Sequence, residues 1–163
     1  MVNDKTLLIR IKRSIWIVII GLALSGLTAF PLETELKIIN DHISPTNPFH
    51  NWMSTIYHAI KTTNQQFPYL SYGTDWLAFA HLMIAVAFIG PLKDPVKNIW
   101  VIEFGMIACV MIFPLAFIAG PVRGIPIYWR FIDCSFGIIG FIPLYYTRKY
   151  IKQLTGITAP ISP

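Results

Sequence analysis

Long apolar stretches alternate with short polar connections along most of the chain. A helix needs about 20 mostly apolar residues to cross the hydrocarbon core of a bilayer. Four stretches approach this length, at residues 14–30, 74–90, 98–120 and 128–146. Pro114 is expected to kink the third stretch. The pattern therefore predicts an all-α integral membrane protein in which four spans form a four-helix transmembrane bundle.

The connection between the first two spans, residues 31–73, is much longer than the others. Apolar residues recur within it at the spacing of one helical face: Phe49, Trp52, Met53, Ile56, Tyr57 and Ile60. Asn47 and Pro48 stand just before this stripe and are typical of a helix start. We expect an amphipathic helix over residues 48–62, lying in the outer membrane interface or covering the mouth of the bundle.

Composition supports a membrane protein and argues against several other classes. Hydrophobic residues make up 55% of the chain and charged residues only 13%, whereas soluble domains carry about 25% charged residues. A length of 163 residues leaves room for one bundle, so a single transmembrane domain is expected. The net charge of +5 does not come from a basic groove interleaved with aromatic residues, and nucleic-acid binding is therefore not expected.

The distribution of basic residues predicts the orientation in the membrane, because cytoplasmic loops are enriched in Lys and Arg. Nine fall on one side of the four predicted spans: Lys5, Arg10, Lys12, Arg13, Lys93, Lys97, Arg148, Lys149 and Lys152. Four fall on the other side: Lys37, Lys61, Arg123 and Arg130. Both termini are therefore expected in the cytoplasm, with the first span as a retained signal anchor because no A-x-A cleavage site follows it. Compact loops and the lack of a glycosylation sequon favour the bacterial inner (plasma) membrane.

Polar residues within the predicted spans gather in the outer leaflet. A charged side chain inside a span costs about 2.5–3.5 kcal/mol on insertion scales and usually faces the bundle interior. The predicted topology brings six polar residues from four regions to one leaflet, with Arg123 on the short outer loop: Thr28, Asp75, His81, Arg123, Arg130 and Asp133. Asp133 also shares a helical face with Gly137 and Gly140, and small residues mark close helix–helix contact in membranes. We expect these residues to form a polar site that is open to the extracytoplasmic side.

The first two spans carry small-residue faces that include members of this cluster. The residues are Gly21, Ser25 and Thr28 on the first span and Ala78, His81 and Ala85 on the second. Both faces are expected to pack against other helices.

His81 and Asp133 are the candidate catalytic residues, because a carboxylate across the bundle can orient an imidazole as a general base. Asp75 lies about 120° from His81 around the same helix and is a poor partner for it. Arg130 and Asp133 are expected to form an ion pair at i, i+3. Arg130, Arg123, Asp75 and Thr28 are the candidate ligand-binding residues, with the arginines holding an anionic head group.

Metal and cofactor binding receive little support from the sequence. Neither HxxxH nor HExxH occurs, and Cys109 and Cys134 are expected to be buried thiols. No metal site is predicted, and the sequence does not identify a cofactor. Glu103 is expected to be an interfacial carboxylate near Lys97 or Lys93, the alternative being the inner end of a proton path.

The sequence thus favours a small polytopic membrane protein whose site binds an amphiphilic or lipid-like ligand, with acid–base chemistry on that ligand as an open further role. Whether it is an enzyme stays open, because no nucleophile motif such as G-x-S-x-G is present. One alternative is a non-catalytic accessory subunit of a larger inner-membrane complex. A second alternative is a proton or ion conduit. The expected partners are membrane lipids, other membrane subunits or a second copy of the chain.

Overall fold

The computed structural model describes residues 4–156, which are helical apart from short turns and contain no strand. The helices, in chain order, are α1 (Asp4–Ala29), α2 (Leu32–His42), α3 (His50–Gln66), α4 (Pro68–Ala87), α5 (Ile89–Lys93), α6 (Ile99–Val122) and α7 (Ile127–Leu154). The prediction of an all-α protein is therefore confirmed for the described part of the chain.

Three helical segments are long and apolar enough to cross a membrane: Pro68–Lys93, Ile99–Val122 and Ile127–Leu154. Helices α1 and α2 meet the same criterion only as a pair, which is bent by 85° at the break between them. Large apolar side chains such as Leu77 and Ile118 are exposed along these helices, whereas soluble proteins rarely expose extensive apolar surface. Length, composition and exposure together indicate a membrane protein.

Prolines set several of the helix boundaries. Pro31 stands at the break between α1 and α2, where its ring removes a backbone donor. Phe67 precedes Pro68 and has φ −139°, because the residue before a proline is pushed out of the helical region. Pro68 then begins α4, a position at which the missing N–H costs nothing. Residues 31–73 are therefore mostly helical, rather than a loop with one helix as the pattern suggested.

The start of α3 differs slightly from the predicted residues 48–62. The helix begins at His50, and the Oδ1 atom of Asn47 accepts a hydrogen bond of 2.9 Å from the backbone N–H of Phe49. This Asx turn orders the chain just ahead of the helix.

The described chain forms two compact units. The cavity unit is Gly21–Ile84; the hairpin unit comprises the residues up to Ile20 and those from Ala85 onward. The hairpin unit is named for the antiparallel pair of α6 and α7, and the cavity unit for a cavity described below.

Glycines bring α6 and α7 of the hairpin unit into close contact. A Cβ atom on Gly137 would lie 2.7 Å from the backbone carbonyl oxygen of Cys109, and one on Gly140 would lie 3.1 Å from the Cys109 sulfur. The prediction that Gly137 and Gly140 face a neighbouring helix is confirmed. The two helix backbones can approach this closely only because these positions lack side chains.

An ion pair joins the start of α6 to the last part of α7. The Nε atom of Arg148 donates to Oε1 of Glu103 over 2.8 Å. The prediction that Glu103 lies near Lys97 or Lys93 therefore missed its partner; Lys97 instead pairs with Asp94 at 3.8 Å. The partner lies 45 residues away along the chain. Helical spacing predicts contacts only between residues a few positions apart, so it could not indicate this pair.

Within the cavity unit, α2 packs on α3 through buried Leu36, Met53 and Tyr57. The last two belong to the predicted apolar stripe. Helix α1 meets α4 at Gly26, where a Cβ atom would lie 2.8 Å from the backbone carbonyl oxygen of Ala78.

The predicted packing face of the first span is wrong. Gly21, Ser25 and Thr28 are all exposed, and Gly26 is the buried glycine. A Cβ atom on Gly21 would have nothing within 4 Å. Several small residues are spaced to share a face in this span, and the sequence does not show which set contacts another helix.

Candidate functional site

A cavity of about 160 Å³ lies in the cavity unit, where the end of α1 and the starts of α2 and α4 meet the second half of α3. Its polar lining comprises Glu33, Thr34, Asn64, Ser71, Thr74 and Asp75. Its apolar lining comprises Ala29, Phe30, Pro31, Leu32 and Ile60. At about 30 Å³ per water molecule, the cavity has room for a few waters or for one small polar group.

Asn64 organises one side of the cavity. Its Nδ2 atom donates to Oε2 of Glu33 over 2.5 Å, and its Oδ1 atom accepts a short hydrogen bond from the hydroxyl of Ser71. One amide thus joins α2, α3 and α4 and holds the Glu33 carboxylate in place. Side chains held by such a network are preorganised to receive a ligand.

The cavity is acidic. Glu33 and Asp75 both line it, and none of the described residues in its wall is basic. Within residues 4–156, no hydrogen bond or ion pair reaches the carboxylate of Asp75. An ionised carboxylate only accepts hydrogen bonds, so the cavity is suited to a ligand group that donates them, above all to a cation.

An aromatic groove of about 280 Å³ adjoins the cavity. It is lined by Phe30, Tyr72, Asp75, Trp76 and Phe79. The Trp76 ring lies 5.9 Å from both the Tyr72 ring and the Phe79 ring, edge to face in each case. Because Phe30 and Asp75 belong to both spaces, a polar, acidic compartment continues directly into an apolar one.

Of the predicted site residues in this unit, only Asp75 lines the cavity and the groove. Thr28 is exposed, and its hydroxyl donates to the carbonyl oxygen of Ser25 over 3.4 Å. His81 lies farther along α4 and lines neither space. Its Nδ1 atom is 2.8 Å from the carbonyl oxygen of Leu77. A carbonyl only accepts, so Nδ1 carries a proton, and in the neutral imidazole Nε2 is then the acceptor.

The remaining predicted residues belong to the hairpin unit. The Nε atom of Arg130 donates to the carbonyl oxygen of Ile125 over 2.8 Å, and the arginine side chain crosses Gly120. Arg130 therefore fastens the turn between α6 and α7, and the predicted ion pair with Asp133 is not formed in the described structure. Arg123 is exposed at the end of α6.

Asp133 is half-buried on α7, and no hydrogen bond or ion pair reaches it within residues 4–156. His81 and Asp133 lie in different compact units. Their pairing across the bundle therefore stays a prediction.

Sequence reasoning did not find Asn64 and Ser71. The available signal was the polar run at residues 62–66, which ends just before Phe67 and Pro68. A proline-broken helix pair brings the side chains on either side of the break close together. Glu33 is in the first turn of α2.

Comparison of the chain with protein-family models, with curated proteins and with solved structures finds no match. Its function is therefore inferred from its own residues.

Proposed function

We propose that this membrane protein binds an amphiphilic, lipid-like ligand, with the polar end in the acidic cavity and the apolar part along the aromatic groove. The observation that carries the proposal is the shared wall: Asp75 and Phe30 line both spaces. A ligand with a polar head and an apolar chain matches two adjoining compartments of unlike polarity.

The acidic lining favours a cationic head group, such as an ammonium. Glu33 and Asp75 supply two carboxylates without a basic residue beside them in the cavity wall. Charge-assisted hydrogen bonds are roughly twice as strong as neutral ones, and aromatic rings, of which Phe30 supplies one in the cavity wall, attract ammonium groups. The sequence suggested an anionic head held by Arg123 and Arg130, but Arg130 Nε is engaged by a backbone carbonyl.

The proposed membrane placement follows from the helix geometry and the charge distribution. We take α1 as a fourth span beside the three apolar segments, which gives a four-helix transmembrane bundle. The bend of 85° then lets α2 run along the membrane surface, as an interfacial helix does. The excess of basic residues on the side of the termini favours cytoplasmic termini, so the cavity opens to the extracytoplasmic side. Compact loops without a glycosylation sequon favour a bacterial inner membrane.

Acid–base chemistry by His81 stays a prediction from the sequence, because His81 lines neither the cavity nor the groove in which the ligand is proposed to lie. The hydrogen bond of Nδ1 to Leu77 fixes the tautomer in which Nε2 can accept a proton.

Binding of a matched pair of amphiphiles tests the proposal. Decyltrimethylammonium and decyl sulfate share a chain length and differ in the charge of the head, and their binding to the protein in lipid nanodiscs can be followed by calorimetry. We expect the cation to bind more tightly and Asp75→Asn to weaken that binding about tenfold, which corresponds to a loss of about 1.4 kcal/mol of attraction between the carboxylate and the quaternary ammonium.

Asp94→Asn is the matched control, because Asp94 lies in a loop of the hairpin unit and pairs with Lys97. It should leave binding unchanged. Equal binding of the two amphiphiles, or equal loss in the two variants, would contradict a cation site at Asp75.

Asp133 favours a second candidate function, that of an accessory subunit. A carboxylate within a span normally has a partner, and none reaches Asp133 in the described chain. A basic residue on a transmembrane helix of another protein would supply one. Loss of copurifying polypeptides from the Asp133→Asn variant, with ligand binding intact, would favour this function.

A further inference from the structure

Basic residues gather where the start of α1 and the end of α7 meet in the hairpin unit. The guanidinium of Arg10 lies over the ring of Tyr150, 5.8 Å from its centroid. Buried Leu7, Ile11 and Ile15 on α1 are spaced four residues apart and form one packed face. Ile151 on α7, next to Tyr150, is also buried. The contact between Arg10 and Tyr150 therefore places the basic segment at the start of α1 beside the basic segment at the end of α7.

We define the basic surface as Arg10, Lys12, Arg13, Lys149 and Lys152. Within residues 4–156, no carboxylate forms an ion pair with any of the five. The neighbouring Arg148 is excluded because Glu103 neutralises it. Asp4 is the acidic residue that α1 contributes nearby. The surface is left with a large excess of positive charge that the described chain does not balance.

Both helices show the same order of residues behind the basic surface. On α1, exposed Trp16 follows the basic residues, and exposed Ile17 and Ile20 come next. On α7, the same order runs backwards along the chain, with exposed Tyr145 and Tyr146 and then exposed Ile142. Basic, aromatic and apolar belts in that order mark the passage from lipid head groups to hydrocarbon.

We propose that the basic surface binds the phosphate groups of anionic membrane lipids. The order of the belts places the cations of the basic surface at the depth of the lipid head groups. Their unbalanced positive charge is complementary to the negative charge of anionic lipids. Basic clusters beside a membrane span attract anionic lipid with about 1 kcal/mol for each Lys or Arg, which is a preference of roughly fivefold for each cation. This binding is independent of the amphiphile site in the cavity unit.

Lipid retention in mixed nanodiscs tests this proposal. The full chain is reconstituted with equal amounts of phosphatidylglycerol and phosphatidylcholine, and the lipids that stay bound are counted by native mass spectrometry. The wild-type protein should retain phosphatidylglycerol in preference. The double variant Lys12→Gln/Arg13→Gln should lower that preference by about fivefold for each cation, and Lys149→Gln/Lys152→Gln should do the same.

The charge-matched control is Lys37→Gln/Lys61→Gln, which removes two positive charges from the cavity unit. It should keep the wild-type preference. Circular dichroism establishes that each variant is folded, and Arg10 is left unchanged because it packs on Tyr150. Equal retention of the two lipids by the wild-type protein, or an equal loss in the control, would overturn the proposal.

Discussion

The contact between α6 and α7 gives a sharp prediction about Gly137. In Gly137→Ala, the new Cβ atom would lie 2.7 Å from the carbonyl oxygen of Cys109, whereas ordinary contact begins at 3.4 Å. The obstructing atom belongs to the backbone, so no side-chain rotation can relieve the clash, and the two helices must separate by roughly 0.7 Å. Overpacking of this kind costs about 1–3 kcal/mol.

The matched control is Gly21→Ala. A Cβ atom at Gly21 would meet nothing within 4 Å, and Gly21 is also in a helix. Both variants gain helix propensity of up to about 1 kcal/mol, so their difference in stability isolates the packing term.

Thermal unfolding in a mild detergent measures this difference. For a chain of this size, about 1–3 kcal/mol corresponds to roughly 2–12 °C in Tm, with Gly137→Ala the less stable. Gly140→Ala should fall between the two, because its new Cβ would meet a sulfur atom at 3.1 Å. Equal Tm values for Gly137→Ala and Gly21→Ala would refute the close α6–α7 contact.

Three further predictions concern the polar contacts. Asn64→Ala should destabilise the protein by about 1 kcal/mol, because the side-chain hydrogen bonds to Glu33 and Ser71 are lost. It should also weaken decyltrimethylammonium binding, because the Glu33 carboxylate is no longer held in place; an unchanged binding affinity in calorimetry would contradict the organising role of the amide. A double-mutant cycle on Glu103→Gln and Arg148→Gln should give a coupling of about 0.2–1 kcal/mol, because both side chains are over one-third exposed; zero coupling in thermal unfolding would show that the pair does not stabilise the hairpin. His81→Gln should leave decyltrimethylammonium binding intact, because His81 does not line the cavity; loss of binding in a folded variant would place His81 in the binding site itself.

The sequence predicted the features that depend on neighbouring positions. The apolar stripe indicated α3, and the spacing of Asp133, Gly137 and Gly140 indicated the packing face of α7, because both follow from the helical repeat. Three of the four expected spans reappear as apolar helical segments of sufficient length, while α1 meets that criterion only together with α2.

The sequence did not predict contacts made by residues far apart in the chain. Glu103 lies within a predicted span, and Arg148 lies two residues beyond the predicted end of another at residue 146, because α7 continues to Leu154. Their pairing depends on how α6 and α7 are aligned. Asn64 links residues from three helices. Such a hydrogen-bond network follows no regular spacing along the chain, so no sequence pattern indicates it. Arg130 was expected to pair within its helix, yet it turns back to a carbonyl of the preceding turn.

The central claim is that the cavity holds a cationic amphiphile, and native mass spectrometry of the protein extracted from its own membrane tests it most directly. We predict a reproducible small adduct that fragments to an amine-containing head group, and its loss in Asp75→Asn with retention in Asp94→Asn. A spectrum dominated by other polypeptides, without an adduct that depends on Asp75, would contradict the claim and favour the accessory-subunit function.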